Sequence, residues 1–175
     1  PICVAALGAY RALHHFSWAG KLLDHDWPDP LKEVIVRQVS EPMEEQTLRL
    51  TMPVLTRVRE GVSQVVREHY EENPYPRWLK TNVADTARTL GSILQEAPLR
   101  LNLGNDELPG NPEILNAGCG TGQQSLETAT RILGSNILAV DLSLSSLAYA
   151  KRKTRELGVS NIDYAQTDIL ELESL

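Results

Sequence analysis

The sequence has 175 residues, enough for one domain with a buried core or for a small domain with an extension. Hydrophobic residues make up 42% and charged residues 23%, which excludes disorder over most of the chain. The net charge of -6 argues against non-specific binding to nucleic acid, which needs basic patches.

In chain order, residues 1–23 place Val4, Leu7, Leu13, Phe16 and Leu22 at helical spacing and predict one helix. Arg11, His14, His15 and Lys21 interrupt its apolar run, which excludes a membrane span, and a signal peptide's basic start and cleavage site are missing. The segment reads as a helix entered midway, and both chain ends read as cut. Asp24–Pro30 is expected as a turn, since Pro28 and Pro30 oppose helix continuation. Helix is expected again over Leu31–Val39, with Ser40 capping a next helix that carries Pro42 near its start and runs to Leu50. After Pro53, Leu55–Tyr70 reads as a helix with Val58, Val62, Val65, Val66 and Tyr70 as its apolar stripe. Asn73–Trp78 is extended by proline geometry, Val83–Ala97 is weakly helical and Asn102–Pro112 is a loop. From Glu113 the pattern alternates: strand Glu113–Ala117, helix Gln123–Leu133 closed by Gly134, and strand Ile137–Leu142. A helix capped by Ser143 or Ser145 then runs to Leu157, and strand Ile162–Gln166 follows. This order implies parallel strands.

The candidate site lies at the strand ends. In Asn116-Ala117-Gly118-Cys119-Gly120-Thr121-Gly122 the glycines allow a tight strand-to-helix turn and close approach of a ligand, while the following helix aims its free N–H groups there. A dinucleotide fingerprint would need glycine where Gln123 stands, and a P-loop would need a lysine that is missing. The spacing suits a nucleoside bearing an amino-acid tail rather than a pyrophosphate. Asp141, nineteen positions after Gly122, can accept hydrogen bonds from ribose hydroxyls, with Leu142 against the adenine. Asp168, with Ile169 beside it, can accept from an exocyclic amino group. Tyr75, Arg77 and Trp78 form a candidate lid. The basic run Lys151, Arg152, Lys153 and Arg155 reads as a solvated helix end. Cys3 and Cys119 and the four histidines, the pair His14 and His15 among them, show no metal spacing, so no metal is expected. The cysteine usage fits a cytoplasmic location.

Leu115–Gly122, Ala139–Ser143 and Ala165–Ile169 together resemble the first three motifs of class I S-adenosylmethionine-dependent methyltransferases. The run Tyr70–Trp78 resembles bacterial methyltransferases that carry tetratricopeptide repeats upstream. Asn116 stands where that family often has Asp or Glu. Asn73-Pro74-Tyr75-Pro76 is similar to the catalytic motif of amino-group methyltransferases, but it precedes the first strand where that motif follows the fourth. The resemblance implies an α/β fold: a truncated Rossmann-like methyltransferase sheet of three parallel strands behind an all-helical extension. The expected division is 1–70 helical extension, 71–110 proline-rich lid and linker, and 111–175 the first half of the methyltransferase domain. It further implies S-adenosylmethionine as cofactor and methyl transfer to an unidentified acceptor, a protein or small molecule being favoured. No membrane or nucleic-acid partner is indicated. Catalytic residues are expected after a fourth strand, so this chain alone is expected to be inactive and prone to aggregate. The alternatives are a cofactor-binding module without chemistry, a nicotinamide-dependent oxidoreductase and a helical adaptor.

Overall fold

The structure is a computed structural model that describes residues 1–96 and 108–174. It divides into two compact units, Pro1–Thr51 and Met52–Leu175. The division falls after Thr51 rather than at residue 70, because residues 52–72 pair with and cap elements of the second unit.

In the first unit, helix α1 covers only Ile2–Tyr10, and the rest of the expected single helix is two 3-10 turns, Leu13–His15 and Ala19–Asp24. A distant side chain explains the break. The Gln38 amide donates to the Gly8 carbonyl and accepts from the Leu13 N–H, replacing helical partners that a straight helix would supply. Helix α2 starts at Asp29, inside the expected turn, with Pro30 in its first turn, where a missing N–H leaves no bond unmade. Ser40 does not cap a new helix. A π turn, Val36–Ser40, joins α2 (Asp29–Ile35) directly to α3 (Glu41–Leu50), and the Glu41 N–H reaches back five residues to Val36. Leu13, Ala19, Leu22, Leu31, Ile35 and Val39 form this unit's core.

The second unit is built on three parallel strands in the order β1 (Glu113–Ala117), β2 (Asn136–Asp141), β3 (Ile162–Gln166). Helices α6 (Gln123–Arg131) and α7 (Leu144–Glu156) connect them, giving the expected Rossmann-like α/β arrangement. Leu126, Ala129, Leu147, Tyr149 and Ala150 of the helices pack on Ile137, Ala139, Ile162 and Tyr164 of one sheet face. Leu115 and Leu138, on the other face, are exposed. Gly134 and Gly158 follow the two helices at positive φ.

Residues 54–61 are not helical. Pro53 and Leu55 pair with both backbone groups of Gln166, so this stretch lies along the free side of β3. Helix α4 is therefore only Val62–Glu72, and its predicted stripe is not core: Val62, Val65, Val66 and Tyr70 are exposed and only Ser63 is buried. Polar contacts hold its end instead. The Glu71 carboxylate accepts from the Leu144 N–H (2.6 Å) and from the Ser145 hydroxyl (2.8 Å), while Ser143 caps α7 by accepting from the Ser146 N–H. A carboxylate at this end of α7 also complements the helix dipole.

Helix α5 is Leu90–Glu96; Val83–Thr89 is irregular, with Arg88 bridged to Ile132. The end of that predicted helix at Ala97 and most of the loop Asn102–Pro112 lie outside the described residues. Arg152 and Lys153 are buried rather than solvated. The Arg152 guanidinium lies 5.0 Å from the Tyr149 ring centroid and the Lys153 ammonium 5.1 Å from that of Trp78, and both cations pair with Glu156. Among the described residues no helix is long and apolar enough to cross a membrane, and no cluster of three metal-ligating side chains is present.

Candidate functional site

The bend after β1 is fixed from two sides. The N–H groups of Gly118 and Cys119 both donate to the Val140 carbonyl (2.8 and 2.9 Å), and the Gly120 N–H donates to the Asp141 carboxylate (2.8 Å). The other Asp141 oxygen accepts from the Ser143 N–H at 2.9 Å. Asp141 thus ties the glycine loop to the start of α7 while remaining on the cavity wall. Gly118, Gly120 and Gly122 all have positive φ, but their surroundings differ. A β-carbon at Gly118 would meet nothing within 4 Å, whereas one at Gly122 would stand 2.5 Å from the Ala150 β-carbon. Gly118 keeps backbone open towards the cavity; Gly122 lets α6 and α7 touch.

A cavity of about 470 Å³ opens over the bend. Gly118–Thr121 and Asp141 form its floor, with Tyr70 and Ser146 also on its wall. Tyr75 and Pro76 contribute from the proline segment, and Gln123, Gln124 and Glu127 from α6. Among the described residues that line it, two are acids and none is Lys, Arg or His. The Cys119 thiol is pushed well up, first by burial and then by the Asp141 carboxylate. It is a poor nucleophile as a result. A thiol titration of the folded chain should modify the exposed Cys3 promptly and Cys119 only on denaturation. Equal rates would contradict this placement.

The cavity brings together Gly118, Cys119, Gly120, Thr121, Asp141 and, from the candidate lid, Tyr75. It does not include the other predicted residues. Asn116 points its amide at Ser125 Oγ (2.8 Å) on α6, and Ala117 and Gly122 lie outside the lining. The Leu142 carbonyl accepts from the Gln166 amide (2.7 Å), and Ile169 is exposed away from the cavity wall. Asp168 is completely buried and otherwise engaged: its carboxylate accepts from the N–H groups of Arg59 (3.0 Å) and Leu170 (3.1 Å). Its own N–H donates to Thr56 Oγ1 (2.9 Å). Asp168 thus holds residues 56–59 and stands outside the cavity lining.

Trp78 is not a lid residue either. It is buried, its ring meets Tyr149 edge-on, and its indole N–H donates to the Thr121 carbonyl at 3.0 Å. The Thr121 hydroxyl in turn donates to the Pro76 carbonyl at 2.6 Å. This reciprocal pair clamps the proline segment to the glycine loop. Arg77 stacks its guanidinium 4.5 Å from the Tyr149 ring centroid, outside the cavity. Sequence reasoning missed Pro76, Gln123, Gln124, Glu127 and Ser146 as lining residues. The three on α6 had a usable signal, since they occupy the first turns of the helix entered from the glycine loop.

Residues 114–175 match the family model described as a methyltransferase domain. No protein of curated function matches the chain. Among solved structures, one concerned with converting a disulfide into a thioacetal group during echinomycin biosynthesis is 24% identical, with TM-score 0.39, over 64% of this chain and 41% of that one. A S-adenosylmethionine-dependent methyltransferase from Aquifex aeolicus is 21% identical, with TM-score 0.29, over 32% of this chain and 30% of that one. A phosphoethanolamine N-methyltransferase from Haemonchus contortus is 19% identical, with TM-score 0.37, over 58% of this chain and 24% of that one. The chain thus spans well under half the length of each of these structures.

Proposed function

We propose that this chain binds S-adenosylmethionine in the cavity over the glycine loop and serves transfer of its methyl group to an acceptor. The observation that carries the reading is a wall around a bend of bare backbone that, among the described residues, is acidic and free of bases. A sulfonium and an ammonium are favoured beside Asp141 and Glu127, whereas a pyrophosphate would meet two carboxylates and no cation to balance it. The match of residues 114–175 to a methyltransferase domain supports the same reading.

The residues present fit the parts of such a ligand. Asp141 keeps lone pairs beyond its two N–H partners and can accept from ribose hydroxyls. The open side of Gly118 admits the ligand close to the backbone. The first-turn N–H groups of α6 and the amides of Gln123 and Gln124 supply donors for the carboxylate of an amino-acid tail. When bound, S-adenosylmethionine supplies an activated methyl group whose leaving thioether needs no protonation. The chain's task is therefore alignment and exclusion of water, and Tyr75 and Pro76 stand over the bend to help with both. The acceptor is proposed to be a protein or small molecule, in a cytoplasmic enzyme of the type with upstream tetratricopeptide repeats. The support for that finer reading is the acidic chain and the likeness of Tyr70–Trp78.

In a melting experiment, S-adenosylhomocysteine at about 100 times its Kd should add roughly 2.7 kcal/mol and raise Tm by about 5 °C or more. NAD should give no shift, and Asp141→Ala should remove the S-adenosylhomocysteine effect. An equal response to NAD, or none to either ligand, would overturn the proposal.

A further inference from the structure

Resting on the proposed cofactor, we infer that Glu127 is the residue that receives the α-ammonium of its methionine tail. Any ligand with such a tail brings a second positive charge besides the sulfonium, and the cavity offers two carboxylates for them. Asp141 is already held by N–H donors on both oxygens, from Gly120 and Ser143. Asn116, at the end of β1, is turned to Ser125 and does not line the cavity. Glu127 does line it, and among the described residues both of its hydrogen bonds fall on one oxygen. Oε1 accepts from the Thr81 hydroxyl at 2.7 Å and from the Gln123 amide at 3.4 Å. Those contacts fix the carboxylate's orientation and leave Oε2 to take a charged donor. The second turn of α6 also carries Glu127 on the same helix whose first-turn N–H groups suit the tail's carboxylate, so one helix end would meet both charges of the amino acid.

Glu127→Gln tests this, because its amide oxygen can still accept from Thr81 while the negative charge is gone. Equilibrium dissociation constants are measured for S-adenosylhomocysteine and for its analogue with a hydroxyl in place of the α-amino group. The wild-type chain should prefer the amino ligand roughly ten- to a hundredfold, the range of a hydrogen bond to a charged group. The variant should lose that preference, with binding of the hydroxyl analogue changed less than about twofold. Glu127→Ala, read in the same way, serves if the amide variant is unstable. A wild-type chain that binds both ligands equally, or a variant that weakens both by the same factor, overturns the inference and leaves the proposed function standing. A wild-type chain that binds neither overturns the proposed function and this inference together.

Discussion

Gly122→Ala is expected to destabilise the second unit by about 3 kcal/mol or more, combining the cost of a left-handed backbone with that of overpacking. The residue sits at φ +77, and the added methyl would lie 2.5 Å from the Ala150 β-carbon and 3.0 Å from the Tyr164 hydroxyl. Neither neighbour can retreat easily. Ala150 is buried within α7, and Tyr164 is buried on β3 with its hydroxyl 2.8 Å from that of Thr154. Gly158→Ala is the matched control, because Gly158 has φ +68 and nothing within 4 Å of a built β-carbon. It should cost only about 1–2 kcal/mol, the backbone part alone. Urea denaturation of both variants would separate the two costs. Equal losses would mean that the approach of α6 to α7 is not what requires glycine.

Asp168→Ala should lose about 1.5–3 kcal/mol, since it removes a buried, charged acceptor from the N–H groups of Arg59 and Leu170. Asp168→Asn keeps one acceptor and should lose less. Burial pushes the Asp168 carboxyl up, but hydrogen bonds from Arg59, Leu170 and Ser63 and the Arg59 charge outweigh it, so it is held below the ordinary value of 3.8. A lowered folded-state value means that unfolding takes up a proton. The carboxylate's contribution is therefore fully present well above pH 3.8 and disappears as the pH falls through the lower folded value. The stability gap between wild type and Asp168→Ala should be constant from neutral pH to about 5 and shrink below 3.8. A gap that instead grows on acidification would show that the native state holds Asp168 protonated.

Much of the second unit was legible because its signals are local. Strand Glu113–Ala117 has its predicted limits, Ser143 caps α7, and the glycine bend precedes a helix as its spacing requires. The same locality explains the misses. Nothing near Asp168 in the chain reveals that Thr56, Arg59 and Ser63, more than a hundred positions away, will surround it. Leu55–Val58 carries a helical pattern, yet the free edge of β3 offers its backbone better partners than a helix start would. Trp78 beside two prolines suggests an exposed lid until Thr121 supplies a buried acceptor for its indole N–H. The first unit shows the same thing with Gln38, one side chain that interrupts an otherwise plausible helix.

The most direct test of the central claim is a crystal structure of the chain grown with S-adenosylhomocysteine. The account predicts electron density for the ligand over Gly118–Thr121, with its ribose hydroxyls within hydrogen-bond distance of Asp141. Density at another place on the chain, or a ligand whose ribose lies away from that carboxylate, would contradict it.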